Sequence, residues 1–172
     1  SMRAWAHTVA TYTVNPGPPV QARFTSVSRH LVAGTTVQAG LGTQLSTGTA
    51  IDVELFDQFG NLTSSSWAFH TVLLNSQDSP TMRGGTDPTR TTVDGNDWHL
   101  MGPSDAPLPV TINLNSTGGR FYLWDTKVGT KTVQAVVVRQ DGFTMPTVTH
   151  PVEITPNSRP RIARPRKKAA AT

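Results

Sequence analysis

The sequence predicts an all-β sandwich. In short runs such as "AIDVELF" (50–56), apolar residues fall on every second position, the period of a strand with one wet face. Fourteen Gly and thirteen Pro interrupt the 172 residues too often for long helices. Outside one long stretch, turn signals return roughly every 8–12 residues, the spacing of sandwich strands.

Taken in order, "TVATYTVNPGPPV" (8–20) is a β-prone segment running into a Pro/Gly hinge, whose Pro18-Pro19 pair is extended and stiff. In "VQARF", Val20, Ala22 and Phe24 alternate with Gln21 and Arg23. A Gly-rich stretch comes next and holds at most one short strand, near Val37. Then Ile51, Val53 and Leu55 point one way and Asp52 and Glu54 the other, and the strand stops at Phe59-Gly60-Asn61, where Gly and Asn tolerate a sharp turn. "WAFHTVLL" (67–74) is the next strand, with Trp67, Phe69, Thr71 and Leu73 on one side.

Residues 75–109 break the rhythm. They have little apolar periodicity, and connections of this length in a compact domain are usually functional or mobile. We expect a long excursion with one short strand around Trp98 to Met101. Regular signals then resume. "VTINL" puts Val110, Ile112 and Leu114 on one face, "RFYLW" is an aromatic strand, and "KTVQAVVVRQ" has Val133, Ala135 and Val137 inward. "TVTHPVEI" ends the domain with Val148, Val152 and Ile154, and Pro151 argues for an edge or a strand end. The total is seven to nine strands with one long loop insertion.

The implied domain plan is a β-prone segment and Pro-rich linker over 1–19, a sandwich over 20–154 with its insertion at 75–109, and a basic tail over 155–172 that cannot bury itself and is expected to be disordered. Ser1-Met2 reads as a cloning remnant, and the chain as a piece of something larger. Six of the fifteen basic residues lie in the last fourteen positions (Arg159, Arg161, Arg164, Arg166, Lys167 and Lys168), so nine basic residues face eleven acidic ones elsewhere. The net charge of +4 thus belongs to the tail. With no cysteine, disulfides and thiolate metal sites are excluded. No apolar run approaches the ~20 residues that a membrane helix needs.

Two stretches resemble a known family. "IDVELFDQFGN" is similar to the alternating strand and "D-x-x-G-N" turn of bacterial immunoglobulin-like repeats of the filamin or invasin type. "GGRFYLWDTKVGTKTVQA" (118–135) resembles the aromatic strand, "D-T-x-x-G-T" turn and closing strand of the same repeats. The likeness covers roughly residues 20–154 and implies an immunoglobulin-like antiparallel β-sandwich. It also implies a non-catalytic structural or adhesive module of a larger extracellular or cell-surface protein. "TYTVNPGPPVQARF" resembles the last strand of one such repeat running through its linker into the next, which implies that 1–19 is the remnant strand of a preceding repeat plus its linker. The implied partners are neighbouring immunoglobulin-like domains or other proteins. The 75–109 insertion and the basic tail depart from the family pattern.

Candidate chemistry is sparse. A hydrolytic carboxylate pair needs two acids facing one cleft, whereas Asp52 and Glu54 should face water. No nucleophile elbow, zinc-binding H-E-x-x-H or dinucleotide fingerprint occurs, so an enzyme is not expected. "DGND" (94–97), with Asp94, Asn96 and Asp97, and nearby Asp105 offers hard oxygens for calcium, but reads first as a turn bonding its own backbone. No cofactor is expected otherwise. The scattered histidines read as surface or core-edge residues. Trp67 and Trp124 are expected in the core, whereas Trp98 lies in the insertion. Together with His99, Arg83 and Arg90, Trp98 forms the alternative contact set for a carbohydrate or protein ligand. A further alternative is polyanion or nucleic-acid attachment through the six basic tail residues, which lack interleaved aromatics for base stacking. Asn61-Leu62-Thr63 and Asn115-Ser116-Thr117 are glycosylation sequons, meaningful in a eukaryotic secretory route.

Overall fold

The structure is a computed structural model that describes residues 12–34, 50–87 and 98–156. The strand expected near Val37 and the tail from residue 157 on lie outside the described residues.

Ten strands form two five-stranded sheets. They are β1 (Gln21–Phe24), β2 (Arg29–Val32), β3 (Ala50–Phe56), β4 (Phe69–Ser76), β5 (Arg83–Gly85), β6 (His99–Leu100), β7 (Leu108–Asn113), β8 (Gly118–Trp124), β9 (Gly129–Arg139) and β10 (Val148–Thr155). The first sheet has the order β1-β3-β8-β5-β6 and the second β2-β10-β9-β4-β7. This is the expected all-β, immunoglobulin-like sandwich. It exceeds the expected strand number because β5 and β6 are only three and two residues long. It is also not wholly antiparallel, since β2 pairs in parallel with β10, Arg29 opposite Val152 and Val32 opposite Thr155.

Alternation builds the core. Ile51, Val53 and Leu55 are fully buried, while Asp52 and Glu54 between them stay partly exposed. With Phe121 of the neighbouring β8 they meet Val72, Leu74, Ile112, Val133, Ala135 and Val137 across the sandwich. Each large aliphatic side chain so buried stabilises by roughly 1.5–3 kcal/mol relative to exposure. Phe24 packs at the edge of this core and stacks on His150 with ring centroids 5.0 Å apart.

Several expectations need correction. In β4 Phe69, Thr71 and Leu73 do share one side, but it is the outer one, the inward residues being His70, Val72, Leu74 and Ser76, and Trp67 precedes the strand. Leu114 sits in the turn after β7 and is exposed. The 75–109 stretch holds the short strand expected around Trp98 to Met101, as β6, but it also holds β5, and Met82 and Met101 enter the core. The Met101 amide donates to Met82 O at 3.0 Å. Pro151 lies one residue before β10 begins to pair with β2, a place where a missing N–H costs nothing.

The sandwich has two distinct poles. Gln21 of β1 opposes Phe56 of β3, and Glu54 opposes Gly118 of β8. This end is the upper pole, and the chain comes onto it from residues 12–20. At the other end, Ala50 opposes Tyr122, and β10 runs out with Ile154 opposite Gly129. That end is the lower pole. The chain therefore enters and leaves the sandwich at opposite ends.

Candidate functional site

The 51–61 and 118–135 stretches each contain a buried aspartate that gathers backbone amides. At the upper pole Asp57 is 1% exposed. Its carboxylate accepts the amides of Phe59 and Asn61 at 2.9 Å and the Asn61 side-chain amide at 3.0 Å. Gly60 turns the chain at φ 85, and the loop closes around the acid. The same carboxylate accepts the Gly17 amide at 3.0 Å, while Thr63 Oγ1 donates to Gly17 O at 2.8 Å. The incoming linker is thus held by both groups of one peptide residue. Burial alone pushes the Asp57 carboxyl up, but the Asn61 side chain and the Gly17, Asn61 and Phe59 amides outweigh it and hold it at about 2.

At the lower pole Asp125 is 2% exposed. It accepts the hydroxyls of Ser79 at 2.5 Å and Thr81 at 2.7 Å, and the amides of Thr126 at 2.7 Å and Lys127 at 3.1 Å. Its carbonyl accepts the Gly34 amide at 2.9 Å, and the Ala33 amide donates to Thr155 O at 2.8 Å. The end of β2, the end of β10 and the β8–β9 turn are knotted together there. Both aspartates are acceptors whose lone pairs are consumed by the fold.

The outer face of the first sheet carries the charge. Arg120 forks onto Asp52 at 2.7 and 3.1 Å, and Ser26 Oγ accepts the Asp52 amide at 2.7 Å. Arg23 lies over the Phe56 ring at 4.6 Å. Beside this face an open cleft of about 410 Å³ runs between β7 and β8, lined by Thr86, Pro109 to Thr111, Asn113, Ser116 and Gly118 to Arg120. A smaller hollow of about 160 Å³ adjoins it at Asp52, Glu54 and Thr117. Asp52 and Glu54 face water, as the alternation requires, with Asp52 occupied by Arg120.

The residues expected to make contacts separate. Trp98 is 2% exposed and packs with Ala50 and Tyr122, against Trp124, on the outer face of the first sheet near the lower pole. The expectation that it stays outside the packed interior is corrected, because its ring covers other aromatics. Arg83 reaches back to Trp98 O at 3.4 Å. His99 is exposed and bonds Ala106 O through Nε2 at 2.8 Å. Asp105 accepts the Gly102 amide at 2.9 Å, closing its own turn. Arg90, Asp94, Asn96 and Asp97 lie outside the described residues, as do Arg159, Arg161, Arg164, Arg166, Lys167 and Lys168. Both sequons have structural work: Asn61 Nδ2 is spent on Asp57, and Asn115 holds a positive φ of 65 at the tip of the β7–β8 turn.

Three features were not legible in the sequence. His70 is not at the core edge but fully buried, with Nδ1 2.8 Å from Ser65 Oγ. Asp125 was visible only as a turn residue. Trp67, expected in the core, is 37% exposed and stacks on Arg139 at 4.7 Å. No spacing in the sequence announces any of the three.

No protein-family description matches the chain, and no curated protein does. Among solved structures it is similar to a conjugative transposon lipoprotein from Bacteroides eggerthii, at 15% identity and a TM-score of 0.42, covering 78% of this chain and 96% of that one. It is also similar to a β-glycosidase from Bacteroides vulgatus, at 14% identity and a TM-score of 0.42, covering 81% of this chain and 14% of that one.

Proposed function

We propose that the chain is a non-catalytic structural module of the bacterial immunoglobulin-like kind, which joins other parts of an extracellular or cell-surface polypeptide in series. The observation that carries this reading is the path of the chain. It arrives pinned to Asp57 at the upper pole and departs along β10 at the lower pole, where Ala33 and Gly34 are tied to Thr155 and Asp125. Tension applied between those ends draws β2 upward and β10 downward. The two strands are parallel neighbours over Arg29–Val32 and Val152–Thr155, so their hydrogen bonds are loaded together, in shear. A pair loaded this way must lose all its bonds at once, whereas a peeled hairpin loses them singly.

The arrangement of acids supports the same reading. Asp57 and Asp125 are consumed in holding turns, and Asp52 is held by Arg120. The alternative, a carbohydrate- or protein-binding module, loses its aromatic platform because Trp98 is covered.

Single-molecule extension tests the proposal. Handles placed before Tyr12 and after Pro156 should give one cooperative rupture at several-fold higher force than handles at Phe59 and Phe143, both at the upper pole. Equal forces in the two geometries would sink the reading. Removing residues 76–108 is not a clean test of ligand binding, since it takes Met82 and Met101 out of the core. Binding to a glycan array by the intact chain, abolished by Trp98→Ala without loss of the fold, would favour the alternative.

A further inference from the structure

We infer that His70 is an acid-sensitive latch for the upper pole, holding the 62–68 loop closed while its ring is neutral and releasing it when the ring takes a second proton. His70 is the second residue of β4 and is fully buried. Its Nδ1 lies 2.8 Å from Ser65 Oγ, and that hydroxyl donates its one proton to Trp67 O at 2.9 Å. The proton between ring and hydroxyl must therefore sit on Nδ1, which leaves Nε2 a bare lone pair. That atom has no hydrogen-bond partner among the described residues.

The surroundings are unfavourable to a charge on this ring. In register with His70, β9 places Arg139, whose guanidinium is clasped between the Trp67 ring at 4.7 Å and the Phe143 ring at 4.8 Å. Asp141 forks the same guanidinium at 2.8 and 2.6 Å. Of the other elements against the ring, β7 brings Ile112 and the 62–68 loop brings Ser65 and Trp67, none of which ionises near neutral pH. Burial and then Arg139 keep the His70 ring below its ordinary 6.5, and Asp141 offsets only part of that.

Acid must force a proton onto Nε2, where it has nothing to donate to and sits beside a fixed cation. The structure can relieve this in one inexpensive way. The ladders of β4 with β7 and β9 are continuous, but Ser65 and Trp67 belong to a loop held by isolated bonds. Ser65 N donates to Ser116 O at 2.9 Å, Asn115 N to Ser65 O at 2.9 Å, and Leu114 N to Ala68 O at 3.1 Å. Swinging the loop away lets water reach the imidazolium and uncovers Trp67 while the sheets stay paired.

Hydrogen exchange by NMR on the intact chain tests the inference, with ring ¹⁵N shifts following His70 itself. At pH 7.5 the shifts should report a neutral ring protonated on Nδ1. As the ring titrates, the protection factors of the Ser65, Leu114 and Asn115 amides should fall at least tenfold. That of Leu55, which donates to Thr117 O at 2.8 Å, should hold. His70→Gln, which cannot take up the proton, should keep the three amides protected across the same range. If that variant does not fold, the wild-type shifts and protection factors decide alone. Protection unchanged while the ring titrates would overturn the latch. So would loss of all amides in one step, since His70 would then be only a core residue that resists acid.

Discussion

The Asp57 carboxylate and the Gly17 amide, 40 residues apart in sequence, meet at 3.0 Å. This one bond decides where the linker ends and the folded body begins. It turns a Pro-rich segment into an attached strap, and with Thr63 it fixes the direction in which the chain approaches. Asp57→Ala should therefore free the 12–18 segment. Limited proteolysis should cut there in the variant at protease concentrations that leave the parent intact, and the thermal midpoint should drop by several degrees.

The same carboxylate sets an acid limit. Its folded value, about 2, lies below the 3.8 of an unperturbed aspartate. A group depressed on folding contributes stability that is complete above the unfolded value and vanishes as pH falls through the folded one. Asp141 is held at about 2 as well, first by the Arg139 fork and then by the Phe143 amide, and its contribution runs the same way. Denaturant midpoints should be flat from these two groups above about pH 5 and fall between pH 4 and pH 2. Asp57→Asn should flatten part of that fall.

Asp125 is the corresponding anchor at the lower pole. Two hydroxyls and two amides lose their acceptor when it is truncated, within a site that is 2% exposed. Asp125→Ala should cost about 3 kcal/mol, the penalty of several buried donors left without partners. Urea unfolding would show the midpoint falling with the slope unchanged.

Trp98 separates a structural role from a contact role. Its indole covers Ala50 and Tyr122, so Trp98→Ala should destabilise by about 3 kcal/mol through the cavity it leaves. Near-UV circular dichroism should lose intensity in parallel. A stable variant with an unchanged aromatic spectrum would show that the ring is not packed there.

Gly118 is required by space. A Cβ there would run into the Val53 carbonyl oxygen and lie 2.8 Å from Glu54 Cγ, so β8 could not stay in register with β3. Gly118→Ala should cost roughly 2–3 kcal/mol. By contrast, a Cβ at Gly119 would press on side chains, Val110 Cγ1 at 3.0 Å and Ile112 Cγ1 at 3.4 Å, which can shift, and Gly119→Ala should cost less.

What could be read in advance depended on which signals are local. The alternation in β3 is self-contained, so the outward placement of Asp52 and Glu54 was legible from five residues. The β4 phase was not. "WAFHTVLL" has large apolar residues on both parities, and the core chose His70, Val72 and Leu74 because Ser65 and Arg139 could receive the histidine. Ser65 lies just outside the alternating run and Arg139 comes much later in the chain, on β9, so neither enters the pattern. Met82, Trp98 and Met101 sit among Gly, Pro and Asp, where no period announces burial, yet pairing of β5 with β8 and of β6 with β5 buries them, the two methionines in the core and Trp98 on the outer face of the first sheet. The two anchoring aspartates looked like ordinary turn residues because turns favour aspartate anyway. Their distant donors, Gly17 for one and Ser79 and Thr81 for the other, become visible only when the chain is folded.

Because the polypeptide comes in beside Asp57 and goes out beside Gly129, whatever is attached to its two ends is kept apart by the height of the sandwich. The longest strand, β9, has 11 residues, which at ~3.3 Å each sets that separation at about 35 Å. Such units placed end to end would act as the graduations of a ruler, each adding the same increment of reach whatever its surface loops happened to carry.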